Sequence, residues 1–316
     1  MINTYDVLQS VRNVINQSKH VKINEENIKK AVPLLQSRDD KPWPDSVILN
    51  PDTSNEDKIM YLLLLESLNF CYWEKPKWAI EYKDNWYSGS YGLFFGLEKA
   101  GQDGYDLLNL DYLNNLSFDE LNIILKGTTS IPLLKERYEI IKQLVNEIKK
   151  VDNVFELFKR AKSDKELLAI IVDNFENFRD ISIYNEKEVY FFKRATLLVN
   201  DLFLNIPEIK SNIQNTSGLY GCADYKIPLV LRQLGILEYS NELEQIVDNE
   251  QELEHDSEME IEIRAAMIYA IELIKEELQK NKITMSSIDI DNALWLLSKN
   301  DDFKSKSHHL SKTIYY

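Results

Sequence analysis

A mainly α single domain carrying two short β-hairpins is the fold class this sequence predicts, and three observations predict it. Three capping signatures, Thr53 with Glu56, Ser117 with Glu120 and Ser163 with Glu166, each precede an apolar run. In such a box the hydroxyl accepts the amide three residues on, while the glutamate reaches back to the cap amide. Two short runs of aromatic and β-branched residues flank polar turns, at Lys83-Asp84-Asn85 and Asn185-Glu186-Lys187, as hairpin strands do. No flexible linker divides the 316 residues, a length at the upper end for one domain and sufficient for a substantial core. The domain is therefore taken as 1–316, with the N-terminal helices of residues 1–48 packed on the core.

Taken in order, Tyr5 to Ser18 and Glu25 to Gln36 read as amphipathic helices, the second led by Asn24 as cap and interrupted near Pro33. Lys41-Pro42-Trp43-Pro44 reads as a rigid extended connector. Ser54 to Leu68 is apolar over most of its surface, which predicts a central helix delivering Asn69, Phe70 and Trp73 at its far end. Trp78 to Tyr82 and Trp86 to Tyr87 form the first hairpin; Ser88 to Lys99 then turns helical, with Gly101 as its C-cap. Helices follow over Leu121 to Leu125 and Leu167 to Val172. Ile181 to Tyr184 and Glu188 to Phe192 form the second hairpin, and Lys193 to Leu204 a further helix. Pro228 suits a first helical position and disfavours helical geometry at Ile227, so the next helix starts there and is closed by Gly235. Ser257 with Glu260 opens a long helix to Gln279, on which Glu260 and Arg264 can form an exposed pair stabilising by ~0.3 to 0.5 kcal/mol. Ser287 to Ser298 is the last helix and Lys299 to Lys312 a polar tail. The acidic run Glu250 to Glu262 reads as a solvated face and helix start.

Composition excludes several classes. With 37 basic against 52 acidic residues the net charge is −15, the wrong sign for a protein that lives on a phosphate backbone. Cys71 and Cys222 belong to no metal-type pair and read as reduced thiols in a cytosolic setting. The four histidines, His20, His255, His308 and His309, show no ligand spacing and lie in polar, exposed-looking contexts, so neither a metal nor another cofactor is implied. Gly89-Ser90-Tyr91-Gly92 does not match a phosphate loop, and no nucleophile elbow is present. Met1 to Arg12 carries Asp6 and lacks a basic stretch followed by an apolar one, so no secretory signal is expected. The longest apolar run, Met60 to Leu65, is far shorter than the ~20 residues that cross a bilayer. A soluble cytoplasmic protein is expected, with a monomer favoured.

Asp224 stands just before the Pro228 helix, after a loop punctuated by Gly218 and Gly221. It is either a helix cap or a functional carboxylate that the positive end of the helix keeps ionised. The aromatic cluster Phe70, Tyr72, Trp73, Trp78, Tyr82, Trp86, Tyr87 supplies core, or faces against which a base stacks. Lys193-Arg194 with Asp201 is a helix-start charge pair, or two cations for a phosphate. Asp291, with Trp295 four residues on, faces water or pairs with a cationic ligand group.

The stretch Asp224-Tyr225-Lys226-Ile227-Pro228 resembles the Asp-Tyr-Arg-hydrophobic-Pro signature of the queuosine salvage proteins, the queuosine 5'-phosphate N-glycosylase/hydrolases. Further blocks agree in the same order: Leu68-Asn69-Phe70 with Trp73, Tyr87-Ser88-Gly89, Phe192-Lys193-Arg194-Ala195 ending in Asp201, Glu262-Ile263-Arg264, and Ile314-Tyr315-Tyr316. The similarity runs from about Leu49 to the last residue. It implies a mostly helical fold like that of base-excision DNA glycosylases, and release of the base queuine from queuosine 5'-monophosphate. Asp224 is then the catalytic carboxylate, set against the oxocarbenium character that develops on the ribose. Asn69, Phe70 and Trp73 would bind the base, and Lys193 and Arg194 with Asp201 the phosphate end. Cys222, Tyr225, Asp291, Asn292 and Trp295 complete the implied substrate-binding set. Asn69 offers both donor and acceptor to a base edge, and Asp291 a carboxylate to the cationic amine of queuine. The chain departs from the family pattern at Val47 (a His in some members), Cys222 (an aromatic), Lys226 (an Arg), Asn292 (a Tyr) and Leu296 (an Asp).

Two readings from other classes stand beside this one. A helical binding protein for a modified nucleoside would hold the ligand without releasing free base. An acidic helical scaffold for protein partners would lack a ligand site at Asp224. DNA glycosylase activity is disfavoured by the charge of −15.

Overall fold

In the computed structural model, residues 4–35, 46, 48–216, 218–303 and 305–316 are described. The Lys41 to Pro44 connector and Val47 lie outside them. The chain opens with α1 (Val7–Ile15), capped by the Asp6 carboxylate on the Gln9 amide, and β1 (Val21–Ile23). After α2 (Asn55–Ser67) comes the hairpin β2 (Ala79–Tyr82) and β3 (Asn85–Ser88), which feeds α3 (Gly89–Gln102). A helical stretch follows, α4 (Leu110–Asn115), α5 (Phe118–Ile124), α6 (Leu134–Ile148), α7 (Val154–Lys159) and α8 (Asp164–Asn174). The second hairpin, β4 (Ile181–Tyr184) and β5 (Lys187–Tyr190), leads to α9 (Lys193–Asn205) and α10 (Pro207–Asn212). Last come α11 (Lys226–Gln233), β6 (Leu237–Tyr239), α12 (Asn241–Asp248), α13 (Glu258–Lys280) and α14 (Ser287–Leu297).

Both hairpins stand where the sequence puts them. Their two-residue turns, Lys83-Asp84 (φ 48° and 61°) and Asn185-Glu186 (φ 46° and 64°), are left-handed at both positions, the twist that matches paired strands. Ser117, Ser163 and Ser257 accept the amides of Glu120, Glu166 and Glu260 as the capping patterns predict. At α2 the cap is Ser54, one residue past Thr53. The completed reciprocal box is Ser286 with Asp289, ahead of α14.

α2 lies at the centre. Leu62, Leu63, Leu64 and Leu65 are all buried, so the helix is covered on every side, by α9, α6, α7 and α3. Each such leucine contributes about 1.5–3 kcal/mol by leaving water. α13 is the second buried rod, with α1, α11 and α14 packed on it.

Five sequence expectations are corrected. Residues Glu25–Lys30 and Val32–Leu34 form 3₁₀ turns instead of one α-helix, and Asn24 gives its side chain to Glu238 instead of capping. The short β1 pairs antiparallel with β6, Val21 with Tyr239 and Ile23 with Leu237, and that long-range pairing fixes the segment. Gly101 lies inside α3, whose C-cap is Asp103. The tail is not a solvated one: His309, Ser311, Thr313 and Tyr316 are buried, and Leu310 bridges Glu252. His309 is buried and the other histidines are partly covered, because this segment folds back onto the molecule. Glu260, Glu262 and Arg264 are fully buried, so the end of the acidic run and the Glu260–Arg264 pair belong to the interior.

Candidate active site

Arg264 on α13 organises the floor. Its guanidinium grips the Asp180 carboxylate with both terminal nitrogens (Nη1 to Oδ1 3.1 Å), and its Nε donates to the Ala223 carbonyl at 3.3 Å. It lies over the rings of Phe191 (3.9 Å) and Tyr316 (4.3 Å). Burial works against its charge, but Asp180 and Glu260 outweigh burial and hold its pKa above the ordinary value. Arg264 therefore fixes the carbonyl immediately before Asp224.

Asp224 is 9 % exposed. Its Oδ1 accepts the amides of Lys226 (2.8 Å) and Ile227 (3.0 Å), the first two amides of α11. That helix begins two residues earlier than Pro228 suggested, because these amides bond Asp224 and leave Pro228 at a position that needs no donor. Among the described residues no hydrogen bond holds Oδ2. The cap and the functional carboxylate are thus one arrangement, with one oxygen bonded and the other left open. Burial pushes the pKa of Asp224 up, against the Ile227 amide, Lys193 and the Lys226 amide, which pull it down. The helix end therefore opposes a larger desolvation effect.

Asp291 on α14 is a second carboxyl in the same place. Its Oδ1 accepts the Cys222 amide at 2.7 Å, and it comes within 3.3 Å of where a Cβ on Gly221 would stand. Burial, then the nearby Asp224 charge, push its pKa well above the usual range, against the Cys222 amide and Lys193. Two neighbouring carboxyls thus have different surroundings, with Asp224 capped by the helix start and the pKa of Asp291 raised further. Cys222 is buried, and desolvation followed by Asp291 keeps its thiol protonated.

Lys193, first residue of α9, is 8 % exposed and donates from Nζ to the Asn69 carbonyl at 3.2 Å. Its charge acts on Asp224, Asp291 and Glu66. Glu66 is fully buried; burial raises its pKa, while Lys193, the Asn69 amide, Arg194 and a hydrogen bond with Asp201 oppose this. Asn69 is engaged at both ends, Nδ2 to Glu66 at 3.1 Å and Oδ1 from the Tyr72 hydroxyl at 3.2 Å. Asp201 sits 1 % exposed beneath this group.

Arg194 points elsewhere. Its terminal nitrogens donate to the carbonyls of Glu66, Ser67 and Asn177 and to Asn177 Oδ1, which closes the C-terminal end of α2. Phe70 lies between Arg194 (5.2 Å) and Arg137 (4.0 Å) and is 1 % exposed. Trp73, partly buried, donates from Nε1 to the Ser311 carbonyl at 3.0 Å, and Tyr316 accepts the Cys71 amide at 2.8 Å. Tyr225 packs on His308 with ring centroids 4.8 Å apart. Asn292 and Leu296 are partly buried on α14, while Trp295 sets its ring edge-on to Tyr91 at 5.7 Å.

The structure thus brings Asp224, Asp291, Cys222, Lys193, Asn69 and Tyr225 to one centre, with Asp201 below it. Arg194, Phe70 and Trp73 brace its surroundings. Sequence reasoning missed Glu66, Asp180 and Tyr72. A charge directly after the apolar run Met60 to Leu65 was the available signal for Glu66; Asp180 carried none. His255, Asp256 and Glu260 place one potential ligand atom each within 4.8 Å, but Arg264 already lies 3.5 Å from Glu260, and a guanidinium there opposes a second cation. The surface hollow on α12, and the smaller one lined by Ile80, Lys99 and Ile123, do not include Asp224.

A mainly helical protein with a buried carboxylate capped by a helix start, a second carboxyl beside it and a lysine whose charge acts on both belongs to the class of proteins that hold a cluster of ionisable groups out of water. Comparison with known proteins narrows the class. A family model described as queuosine salvage protein matches residues 49–316, and the chain belongs to that family. Similar proteins bearing the name queuosine 5'-phosphate N-glycosylase/hydrolase include those of Sphaerobacter thermophilus, 30 % identical over 98 % of this chain and 97 % of the relative, and Mus musculus, 29 % identical over 98 % of each. A third, from Schizosaccharomyces pombe, is 26 % identical over 93 % of this chain and 91 % of its own.

Proposed function

We propose that this chain hydrolyses the N-glycosidic bond of queuosine 5'-phosphate, releasing queuine and ribose 5-phosphate. One observation carries the reading: in Asp224 one oxygen is locked by two helix amides while the other, among the described residues, has no hydrogen-bond partner inside a buried centre. As the bond from C1' to the base nitrogen breaks, its electron pair leaves with the base and C1' becomes electron-poor. The open Asp224 oxygen stabilises that charge without reorganising. A water oxygen then bonds to C1', and a proton ends on the base nitrogen. Asp291, which holds its proton longer, gives a hydrogen bond to the departing base, whose 7-deazapurine ring lacks one of the usual protonation sites. Lys193 keeps Asp224 anionic, and Asn69 fixes Lys193.

The same reading goes with a cytoplasmic protein, a monomer favoured, acting on a small nucleotide and not on nucleic acid, in keeping with the charge of −15. Among the described residues no helix is long and apolar enough to cross a membrane. The test is incubation with queuosine 5'-monophosphate, queuosine and guanosine 5'-monophosphate, followed by detection of free base. Queuine from the first substrate is the expected result. Tight binding without base release would favour the nucleoside-binding alternative.

A further inference from the structure

The two cations that the sequence offered to a phosphate are not free to take one. Among the described residues Arg194 donates to the carbonyls of Glu66 and Ser67 at the end of α2 and to Asn177, and it is 1 % exposed. Lys193 is bonded to Asn69 and stands among the carboxyls of Glu66, Asp224 and Asp291. A phosphate dianion brought there would face the Asp224 carboxylate at close range in a medium of low dielectric. A nucleotide site in so acidic a chain needs a cation elsewhere.

Lys299 meets that need. Its Nζ lies 3.5 Å from the centre of the Trp295 ring and 3.8 Å from that of Tyr91, held between them. Among the described residues no carboxylate or carbonyl bonds it, and burial alone lowers its pKa, to about 8. Lys299 itself is on the exposed side, whereas Tyr91 and Trp295 are partly buried against the core. Asp291 and Trp295 lie four residues apart on α14, and Lys299 follows in the turn just past its C-cap Ser298, which puts Asp291 and Lys299 on the order of 12 Å apart along the chain direction. That span suits a nucleotide laid from base edge to phosphate, with the ribose between. Two rings fix the ammonium before any ligand arrives, so little side-chain freedom is lost when a phosphate binds it.

We propose that Lys299, fixed between Tyr91 and Trp295, is the residue that recognises the substrate's 5'-phosphate. This rests on the hydrolase reading above, and the experiment separates the two. Initial rates of base release are measured for the wild type, Lys299→Gln and Lys299→Arg on queuosine 5'-phosphate and on queuosine. The ratio of kcat/KM for nucleotide over nucleoside is expected to fall about tenfold or more in Lys299→Gln, through KM, the size of one lost charge-assisted contact. Lys299→Arg should restore most of it. An unchanged ratio in Lys299→Gln overturns the assignment while leaving the hydrolase reading intact. A wild type that releases base from neither substrate overturns the hydrolase reading and the assignment with it. Should Lys299→Gln fail to fold, ribose 5-phosphate is expected to protect Lys299 of the wild type from trinitrobenzenesulfonate, read by peptide mass. Labelling of Lys299 at an equal rate with and without ribose 5-phosphate overturns the proposal.

Discussion

Arg264 shows what a single side chain can be asked to hold. It joins Asp180, Glu260 and the Ala223 carbonyl while stacked on Phe191 and Tyr316. Arg264→Met strands two buried carboxylates and is expected to cost about 3–5 kcal/mol in denaturant unfolding. Asp291 offers a pH test. Its folded-state pKa is raised above the unfolded value of 3.8, so between those two values the native state binds more protons and stability falls as pH rises. Asp291→Asn removes this penalty and can still accept the Cys222 amide. Its melting temperature relative to wild type should therefore climb as pH rises above about 4; a difference that stays flat or drops contradicts the assignment. The residues gathered at the candidate site were partly legible: Asp224 and Lys193 lie in short ordered blocks, and Asp291 stands four residues before Trp295 on a predicted helix. Arg194 was legible as a residue but not in its direction, since which carbonyls a guanidinium faces depends on helices far apart in sequence.

At the scale of elements, local signals were read correctly and distant pairings were not. Hairpin turns and serine caps are written within four residues, so both hairpins and the starts of α5, α8 and α13 followed from sequence. The pairing of β1 with β6 and the burial of the last residues depend on segments that no local pattern links. Glu262 makes the same point from within α13. Its oxygens accept the amides of Lys19 (2.9 Å), His20 (2.7 Å) and Val21 (3.0 Å) and the Tyr184 hydroxyl (2.8 Å). One acidic residue thereby attaches α1, β1 and the second hairpin to the central rod. Glu262→Ala takes that acceptor from the Lys19 and His20 amides and leaves Val21 only the Ser18 hydroxyl, and a loss of about 3 kcal/mol or more in unfolding free energy is expected. Hydrogen exchange at Lys19 to Val21 should accelerate in the same variant; unaltered protection would show that β1 is held by its strand partner instead.

Across the whole molecule, blocks scattered from Leu68 to Tyr316 converge on one centre. α2 ends there, α9 and α11 begin there, α13 supplies Arg264 and α14 supplies Asp291, and the last residues close over it through Cys71, Trp73 and Tyr225. Three helix termini and two helix flanks thus meet where buried charge is gathered, and the buried rods around them keep the geometry fixed. The account turns on the unbonded oxygen of Asp224. Its most direct test is the rate of queuine release from queuosine 5'-phosphate by Asp224→Asn, an isosteric change that keeps an acceptor for the Lys226 and Ile227 amides. A folded variant slowed by about 100-fold or more is the predicted result. A folded variant that releases queuine at the wild-type rate would contradict it.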